Sequence, residues 1–164
     1  MANMTADVQR PVRLPPGGLE MRKVKLAGYT NYAAGNTAFT VYKGAVVYSD
    51  VSDTDGYASP KQSGINAVAT DVFLGVAAER KPVTSSNLAD GSVEMTVFTN
   101  GVWAFPKGAL AQTDLGATAM AADDGTIVSA TQNNVAIGKI VEVDDTYVWV
   151  DISDYSFKVS AETT

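Results

Sequence analysis

The sequence predicts an all-β fold: a small β-barrel or β-sandwich of jelly-roll or tulip-like type, preceded by an extended N-terminal arm. Val, Thr, Ala, Gly and Tyr are abundant while Leu, Glu and Lys are scarce, a composition that favours strands and turns over helices. Val93–Phe98 alternates with the period of two that is typical of a half-buried strand. Asn100–Gly101 follows it and is a strong turn signal, because both residues tolerate positive φ.

Composition divides the chain into an arm at residues 1–20, one β-domain at residues 21–153 and a C-terminal tail at residues 154–164. The total of 164 residues suits a single domain. Met1–Gly18 contains three prolines and two glycines and shows no sustained periodicity. We expect this segment to be extended, and either disordered or ordered by a partner or by packing on the body.

Charge is distributed unevenly between the arm and the body. Residues 1–25 carry five basic and two acidic side chains, a balance of +3, and the remaining residues carry a balance of −9, which gives the net charge of −6. An acidic body repels phosphate, so we expect no nucleic-acid partner. A basic arm on such a body favours contact with a protein surface.

Several strands are predicted in the first half of the domain. Met21–Leu26 is a short first strand, and Phe39–Tyr48 contains two strands joined by a turn at Lys43–Gly44. Val72–Glu79 is a continuous apolar run, which indicates a strand that is buried on both faces. Gly75 in its centre indicates a bulge or a close approach of another backbone.

The second half is predicted to contain two hairpins. Val93–Phe98 and the apolar run from Val102 to Phe105 form the first, around Asn100–Gly101. Val135–Val143 and Thr146–Ile152 form the second, around the Asp pair at 144–145. In its last strand Tyr147, Trp149 and Asp151 face one side, and Val148, Val150 and Ile152 face the other.

A short internal repeat relates the two halves. Residues 43–46 read Lys-Gly-Ala-Val and residues 107–110 read Lys-Gly-Ala-Leu. Phe73–Ala77 and Ala136–Ile140 are both apolar strands with a central glycine, at nearly the same offset. Two β-units of similar plan can close on each other and bury both apolar faces.

The composition excludes several kinds of chemistry. The chain has no cysteine and no histidine, which removes disulfides, Ser-His-Asp and Cys-His catalysis and His/Cys zinc sites. The acidic pairs Asp123–Asp124 and Asp144–Asp145 lie where turns favour Asp. We therefore predict no enzyme activity, no catalytic residue, no metal site and no cofactor. No apolar run approaches the length of a membrane helix, so no membrane contact is expected.

The order of short motifs resembles that of the capsid decoration, or cement, proteins of tailed bacteriophages, over about residues 39–152. The motifs that carry the resemblance are Leu74–Ala77, Val93–Phe98, Asn100–Trp103, Lys107–Leu110, Ala122–Val128, Ile137–Ile140 and Val148–Ile152. The chain departs from the family pattern in its long proline-rich arm and in the long loop Ser49–Thr70.

The resemblance implies a structural protein, made in the host cytoplasm and located on the outer surface of the virion. It would bridge subunits of the major capsid protein against internal DNA pressure. A second hypothesis is that the chain associates with itself through exposed aromatic strands and forms a dimer or trimer. Our hypothesis places capsid contact in the arm and self-association, or else core packing, in the aromatic residues. These candidates are Arg10, Val12, Arg13 and Leu14 for the capsid, and Trp103, Tyr147 and Trp149 for self-association or the core.

Two other classes remain open from the sequence. The two tryptophans and seven tyrosines can form a sugar-binding platform, which would make the chain a carbohydrate-binding β-module on a phage fibre or a secreted protein. A hydrolase that uses a pair of carboxylates is the remaining enzyme class, although no pair has suitable spacing.

Overall fold

The computed structural model describes residues 3–51, 54–63, 65, 67, 70–130 and 133–159, and these residues have the all-β fold that the sequence predicts. All pairings between the strands of this part of the chain are antiparallel. The strands are β1 (Val12–Arg13), β2 (Met21–Lys25), β3 (Phe39–Val41), β4 (Val46–Ser49), β5 (Ala58–Pro60), β6 (Val72–Ala77), β7 (Lys81–Val83), β8 (Glu94–Phe98), β9 (Val102–Pro106), β10 (Thr118–Ala121), β11 (Ile127–Val128), β12 (Val135–Val143), β13 (Tyr147–Asp151) and β14 (Lys158–Val159).

Apart from the terminal strands β1 and β14, one large sheet is built from strands that precede Asn100 and the other from strands that follow it, and we call them the N-half and C-half sheets. The N-half sheet has the strand order β2-β8-β6-β4-β5, and the C-half sheet has the order β1-β9-β13-β12-β10-β11. The N-half sheet also includes β14, which pairs with β6, and β3 and β7 form a separate two-stranded sheet. The order β2-β8-β6-β4 is repeated as β9-β13-β12-β10, and both are Greek keys in which the first strand lies beside the last.

Glycine occupies the same place in the central strand of each Greek key. A Cβ atom on Gly75 of β6 would lie 2.2 Å from the carbonyl oxygen of Phe98 on β8. A Cβ atom on Gly138 of β12 would lie 2.2 Å from the carbonyl oxygen of Asp151, at the end of β13. The two backbones approach so closely that no side chain fits between them, and this explains the glycine in both copies of the sequence repeat.

The prediction of a hairpin around Asn100–Gly101 is wrong. The turn is present, with Gly101 at φ +102, but it carries the chain from β8 in the N-half sheet to β9 in the C-half sheet. Both edges of β8 are used by β2 and β6, so β9 pairs with β13 instead. Period-two alternation indicates a strand but carries no information about which strand lies beside it.

The main core lies between the two large sheets. Phe73 and Val76 of β6 enter it from one side, and Phe105, Val148 and Val150 enter it from the other. A second core lies on the outer face of the N-half sheet, under β3 and β7. Leu74 and Ala77 of β6 face this second core, so the prediction that this strand is buried on both faces is confirmed.

Each end of the chain pairs with the sheet of the opposite half. At the N-terminus β1 adds to β9, with Val12 opposite Trp103 and Arg13 opposite Val102. At the C-terminus β14 adds to β6, with Lys158 opposite Phe73. Residues 1–2 of the predicted arm and residues 160–164 of the predicted tail lie outside the described part of the chain.

We expect Gly138→Ala to lower the free energy of unfolding by about 3 kcal/mol, because the new methyl group would overlap the Asp151 carbonyl and force β12 from β13. Gly116→Ala is the control: its Cβ would meet no atom within 4 Å, and its φ of +83 predicts a cost of about 1 kcal/mol. Urea denaturation measures both, and equal losses for the two variants would contradict this packing.

Candidate binding surface

Arg13 lies at the centre of an aromatic and charged cluster on the outer face of the C-half sheet. Its guanidinium carbon is 4.1 Å from the centre of the Trp149 ring, and its Nη1 forms an ion pair with Glu142. Trp149 is directly opposite Glu142 on one side and Ala104 on the other. Because Ala104 carries only a methyl group, the long Arg13 side chain can extend from β1 across β9 to the indole ring.

The other side of the cluster is formed by the turn between β12 and β13. Trp149 donates from Nε1 to Asp144 Oδ2 at 2.9 Å, and Asp144 Oδ1 accepts the backbone N–H groups of Thr146 and Tyr147 at 2.8 and 2.6 Å. Tyr147 meets Trp149 edge to face, with ring centres 6.1 Å apart and ring planes at 73°. We call Arg13, Glu142, Asp144, Tyr147 and Trp149 the Trp149 cluster.

Electrostatic shifts in the Trp149 cluster follow from these contacts. The hydrogen bond to Glu142 raises the pKa of Arg13, and the same bond lowers the pKa of Glu142. The hydrogen bond from Trp149 lowers the pKa of Asp144. All three groups therefore stay charged across the neutral range, and the cluster presents tryptophan, tyrosine and arginine, the residue types that dominate protein interfaces.

The N-terminal segment lies along the body as an ordered strap, which we define as residues 3–13. On the N-half, Asn3 Oδ1 accepts the N–H of Ser63 at 2.8 Å and Asp7 Oδ1 accepts the N–H of Lys43 at 3.0 Å. Val8 donates its own N–H to the Lys43 carbonyl at 2.9 Å. The Lys43–Gly44 turn that the sequence predicts is thus part of the docking site of the strap.

The strap also contacts the C-half. Met4 donates its N–H to Asp124 Oδ1 at 2.8 Å, and the Pro11 carbonyl accepts the N–H of Ala104 at 3.0 Å. Asp124 is itself joined to the N-half, because its carbonyl accepts the N–H of Val46 at 2.8 Å. The strap therefore spans the boundary between the two halves and binds both.

Arg10 is the buried centre of this contact, with 5% of its surface exposed. Its Nε donates to the Gly44 carbonyl at 2.6 Å on the N-half, and its Nη1 donates to the Ala104 carbonyl at 3.5 Å on the C-half. The guanidinium carbon lies 4.2 Å from the centre of the Phe105 ring. Burial lowers the pKa of Arg10 to about 10, so the side chain remains protonated at neutral pH.

Asp123 and Asp124 form the predicted turn between β10 and β11, but both are buried, at 0% and 2% exposure. Burial raises the pKa of Asp124 to about 6. Both carboxylates interact electrostatically with Arg10 and favour its charged form, so this buried turn helps to stabilise the buried guanidinium. Turns favour Asp whether it is buried or exposed, so the sequence gives no indication of this burial.

A second buried cation connects a loop to the same turn. Lys61 is 1% exposed and donates from Nζ to the carbonyls of Gln62, Ile65 and Ala122 at 2.9, 2.6 and 3.5 Å. Burial lowers its pKa, and Asp123 opposes that shift. Because its ammonium group is hydrogen-bonded to three backbone carbonyls, Lys61 fixes the loop that contains Gln62 and Ile65 against the turn at Ala122. Among the described residues no group of three or more acidic side chains has metal-binding geometry.

The structure places the seven candidate residues in different environments. Arg10 is buried, Val12 is half-buried, and Arg13 and Leu14 are exposed, with 67% of Leu14 accessible. Trp103 belongs to the main core, while Tyr147 and Trp149 are half-buried on the outer face. The predicted inward face of β13 is confirmed, since Val148, Val150 and Ile152 are each 0% exposed. The contact roles of all seven stay predictions.

Comparison of the chain with protein-family models, with curated proteins and with solved structures found no match in any of the three. Within the described residues, no helix has the length and apolar character needed to span a bilayer.

We expect Arg10→Met to lower the free energy of unfolding by about 3 kcal/mol, because the Gly44 and Ala104 carbonyls would lose a charged donor in a buried place. Arg22→Met is the matched control: Arg22 is exposed, and the expected loss is about 0.5 kcal/mol. Guanidinium denaturation distinguishes the two. An Arg10 variant as stable as the Arg22 variant would show that the strap does not stabilise the body.

Stability should rise as Asp124 becomes protonated. Its pKa in the folded state, about 6, lies above the ordinary Asp value of 3.8 expected in the unfolded chain, so the folded state binds the proton more tightly than the unfolded state does. The contribution of Asp124 to the free energy of unfolding therefore increases by roughly 1 kcal/mol when the pH is lowered from 7 to 5.

The measurement is thermal unfolding at pH 7 and pH 5 for the parent chain, Asp124→Asn and the exposed control Asp145→Asn. The parent and the control should gain more stability on acidification than Asp124→Asn does. The same pH response in all three chains would refute the assignment to Asp124.

Proposed function

We propose that the chain is a capsid decoration protein that binds the outside of a phage head and bridges subunits of the major capsid protein. The observation that carries the proposal is that β1 and β14 each pair with the sheet formed by the other half, through β1 on β9 and β14 on β6. A force that pulls on the chain next to β1 or β14 is therefore transmitted to both sheets. A subunit that holds neighbouring proteins together under pressure requires this kind of resistance to peeling.

The contact surface of this proposal begins where the strap leaves the body. Leu14 is 67% exposed and follows Arg13, whose side chain is held by Trp149 and Glu142. Met21, at the start of β2, is 60% exposed. Exposed apolar side chains beside an arginine on a positively charged segment suit an apolar groove with an acidic rim on the capsid.

Affinity in this proposal comes from many copies rather than from one strong contact. Each subunit offers a small apolar and basic surface, and a dense array adds such contacts through avidity. Formation of a dimer or trimer, which we also propose, would raise the effective concentration of each contact in the same way.

A carbohydrate-binding module is the alternative function, because Tyr147 and Trp149 are adjacent on the outer face. A sugar stacks on the flat face of an aromatic ring. The Trp149 ring already has the Arg13 guanidinium against it, and Tyr147 is turned 73° from it. This arrangement favours a protein partner over a sugar.

The test is co-sedimentation of the chain with purified expanded heads, with Leu14→Ser as the variant. We expect Leu14→Ser to raise the concentration needed for saturation at least ten-fold, because it removes an apolar contact. Leu88→Ser is the matched control. Leu88 is 53% exposed in the loop between β7 and β8, and its substitution should leave the concentration needed for saturation unchanged.

The possible results separate the hypotheses. Equal binding by Leu14→Ser and the parent chain would reject contact through Leu14 while keeping the decoration role. Failure of the parent chain to bind heads would reject the decoration role itself. Binding of the parent chain to a glycan array without binding to heads would establish the carbohydrate alternative.

A further inference from the structure

We propose that the strap can leave its own body and occupy the same site on a second copy of the chain, so that copies exchange their N-terminal segments. The exchanged form uses contacts that already exist. Arg10 to the Gly44 and Ala104 carbonyls, Met4 to Asp124 and Val8 to Lys43 all join the strap to the body, and each can form equally between two chains.

The segment that joins the strap to β2 has the character of a hinge. Residues 14–20 read Leu-Pro-Pro-Gly-Gly-Leu-Glu. The fold-back depends on a turn in which Gly18 donates its N–H to the Pro15 carbonyl at 3.0 Å. Gly17 and Gly18 have φ of +88 and +85, and a Cβ on either would meet nothing within 4 Å. Opening the turn therefore displaces no side chain packed against these two glycines, and it breaks two hydrogen bonds, from Gly18 N–H to the Pro15 carbonyl and from Asn100 Nδ2 to the Gly18 carbonyl at 3.2 Å.

Opening this turn gives the strap enough reach for a second copy. Glu20 is held to the body, because its N–H donates to Asn100 Oδ1 at 2.7 Å and its carbonyl accepts the N–H of Thr99 at 3.0 Å. Six Cα–Cα steps separate Arg13 from Leu19, and a fully extended chain covers about 3.3–3.6 Å per step, or roughly 21 Å. Pro15 and Pro16 fix φ and stiffen the first part of the hinge.

Both ends of the hinge carry an exposed apolar side chain. Leu14 at 67% and Met21 at 60% are the most exposed large hydrophobic side chains among the described residues. In an exchanged pair the hinges of the two copies run past each other, and these side chains gain neighbours. Exchange therefore adds burial at the hinge while it preserves every strap contact.

Concentration sets the balance between the closed and exchanged forms. A short flexible linker gives an intramolecular partner an effective concentration on the order of millimolar. The closed form should therefore dominate at micromolar concentration, and exchange should appear at about 1 mM.

The absence of cysteine from the sequence allows a direct test with introduced thiols. Arg13 and Val102 are opposite each other in the antiparallel pair of β1 and β9, within disulfide reach. Arg13→Cys and Val102→Cys chains, made separately, are mixed at 1 mM and oxidised. A disulfide between the two chains forms when the strap of one copy lies on β9 of the other.

We expect this mixed disulfide in at least ten-fold greater yield than in a control mixture of Leu88→Cys and Val102→Cys, and we expect the excess to vanish at 5 μM. Equal yields in the two mixtures at 1 mM would overturn the proposal. Formation of only the intrachain disulfide in the Arg13→Cys/Val102→Cys double variant at 1 mM would overturn it as well.

A second experiment leaves Arg13 unchanged. Deletion of Gly17 and Gly18 removes the turn, so we expect a stable dimer at micromolar concentration in sedimentation velocity. The control Gly17→Asn/Gly18→Asn keeps the length and tolerates positive φ, and it should stay monomeric there. A deletion chain that is monomeric and as stable as the control contradicts exchange. These experiments need no capsid, so their outcome is separate from that of the proposed function.

Discussion

The contact of Arg10 with both halves of the molecule is the interaction on which the rest of the structure depends. A single buried guanidinium donates to Gly44 on one side of the boundary and to Ala104 on the other, over Phe105. Burying this charge is unfavourable, as its lowered pKa indicates, and the nearby carboxylates of Asp123 and Asp124 oppose that cost. A segment of irregular structure thereby becomes an integral part of a β-fold.

The two Greek keys explain why such a tie is useful. Each half has its own ladder of backbone hydrogen bonds, so the contacts between them are mainly the side chains of the shared core. Side-chain packing is not directional, whereas the strap, the bond from Val46 to Asp124 and the crossed strands β1 and β14 fix one relative position. A rigid link of this kind suits a protein whose proposed role is to hold others in place.

Much of the fold follows from local pattern. Alternation in β13 predicts which face is buried, the apolar run of β6 predicts burial on both sides, and the repeat predicts Gly75 and Gly138 in equivalent strands. Local pattern does not determine which strands pair with each other, and for this reason the predicted hairpin between β8 and β9 is wrong.

The site was harder to predict because its contacts join distant parts of the chain. Arg10 binds residues 34 and 94 positions away, and Met4 binds a residue 120 positions away. Within the sequence Arg10 is one basic residue of a proline-rich arm, and Asp124 is one residue of an Asp-Gly turn. Neither pattern distinguishes a buried ion from a solvated one.

Native-state hydrogen exchange on the Arg10→Met chain tests the central claim most directly. The Val46 amide reports the bond between the halves, and the Ile140 amide, which donates to Ala117 within the C-half, serves as the internal reference. If Arg10 holds the halves together, Val46 exchanges at least ten-fold faster in the variant relative to Ile140. An unchanged ratio of the two exchange rates would contradict the account.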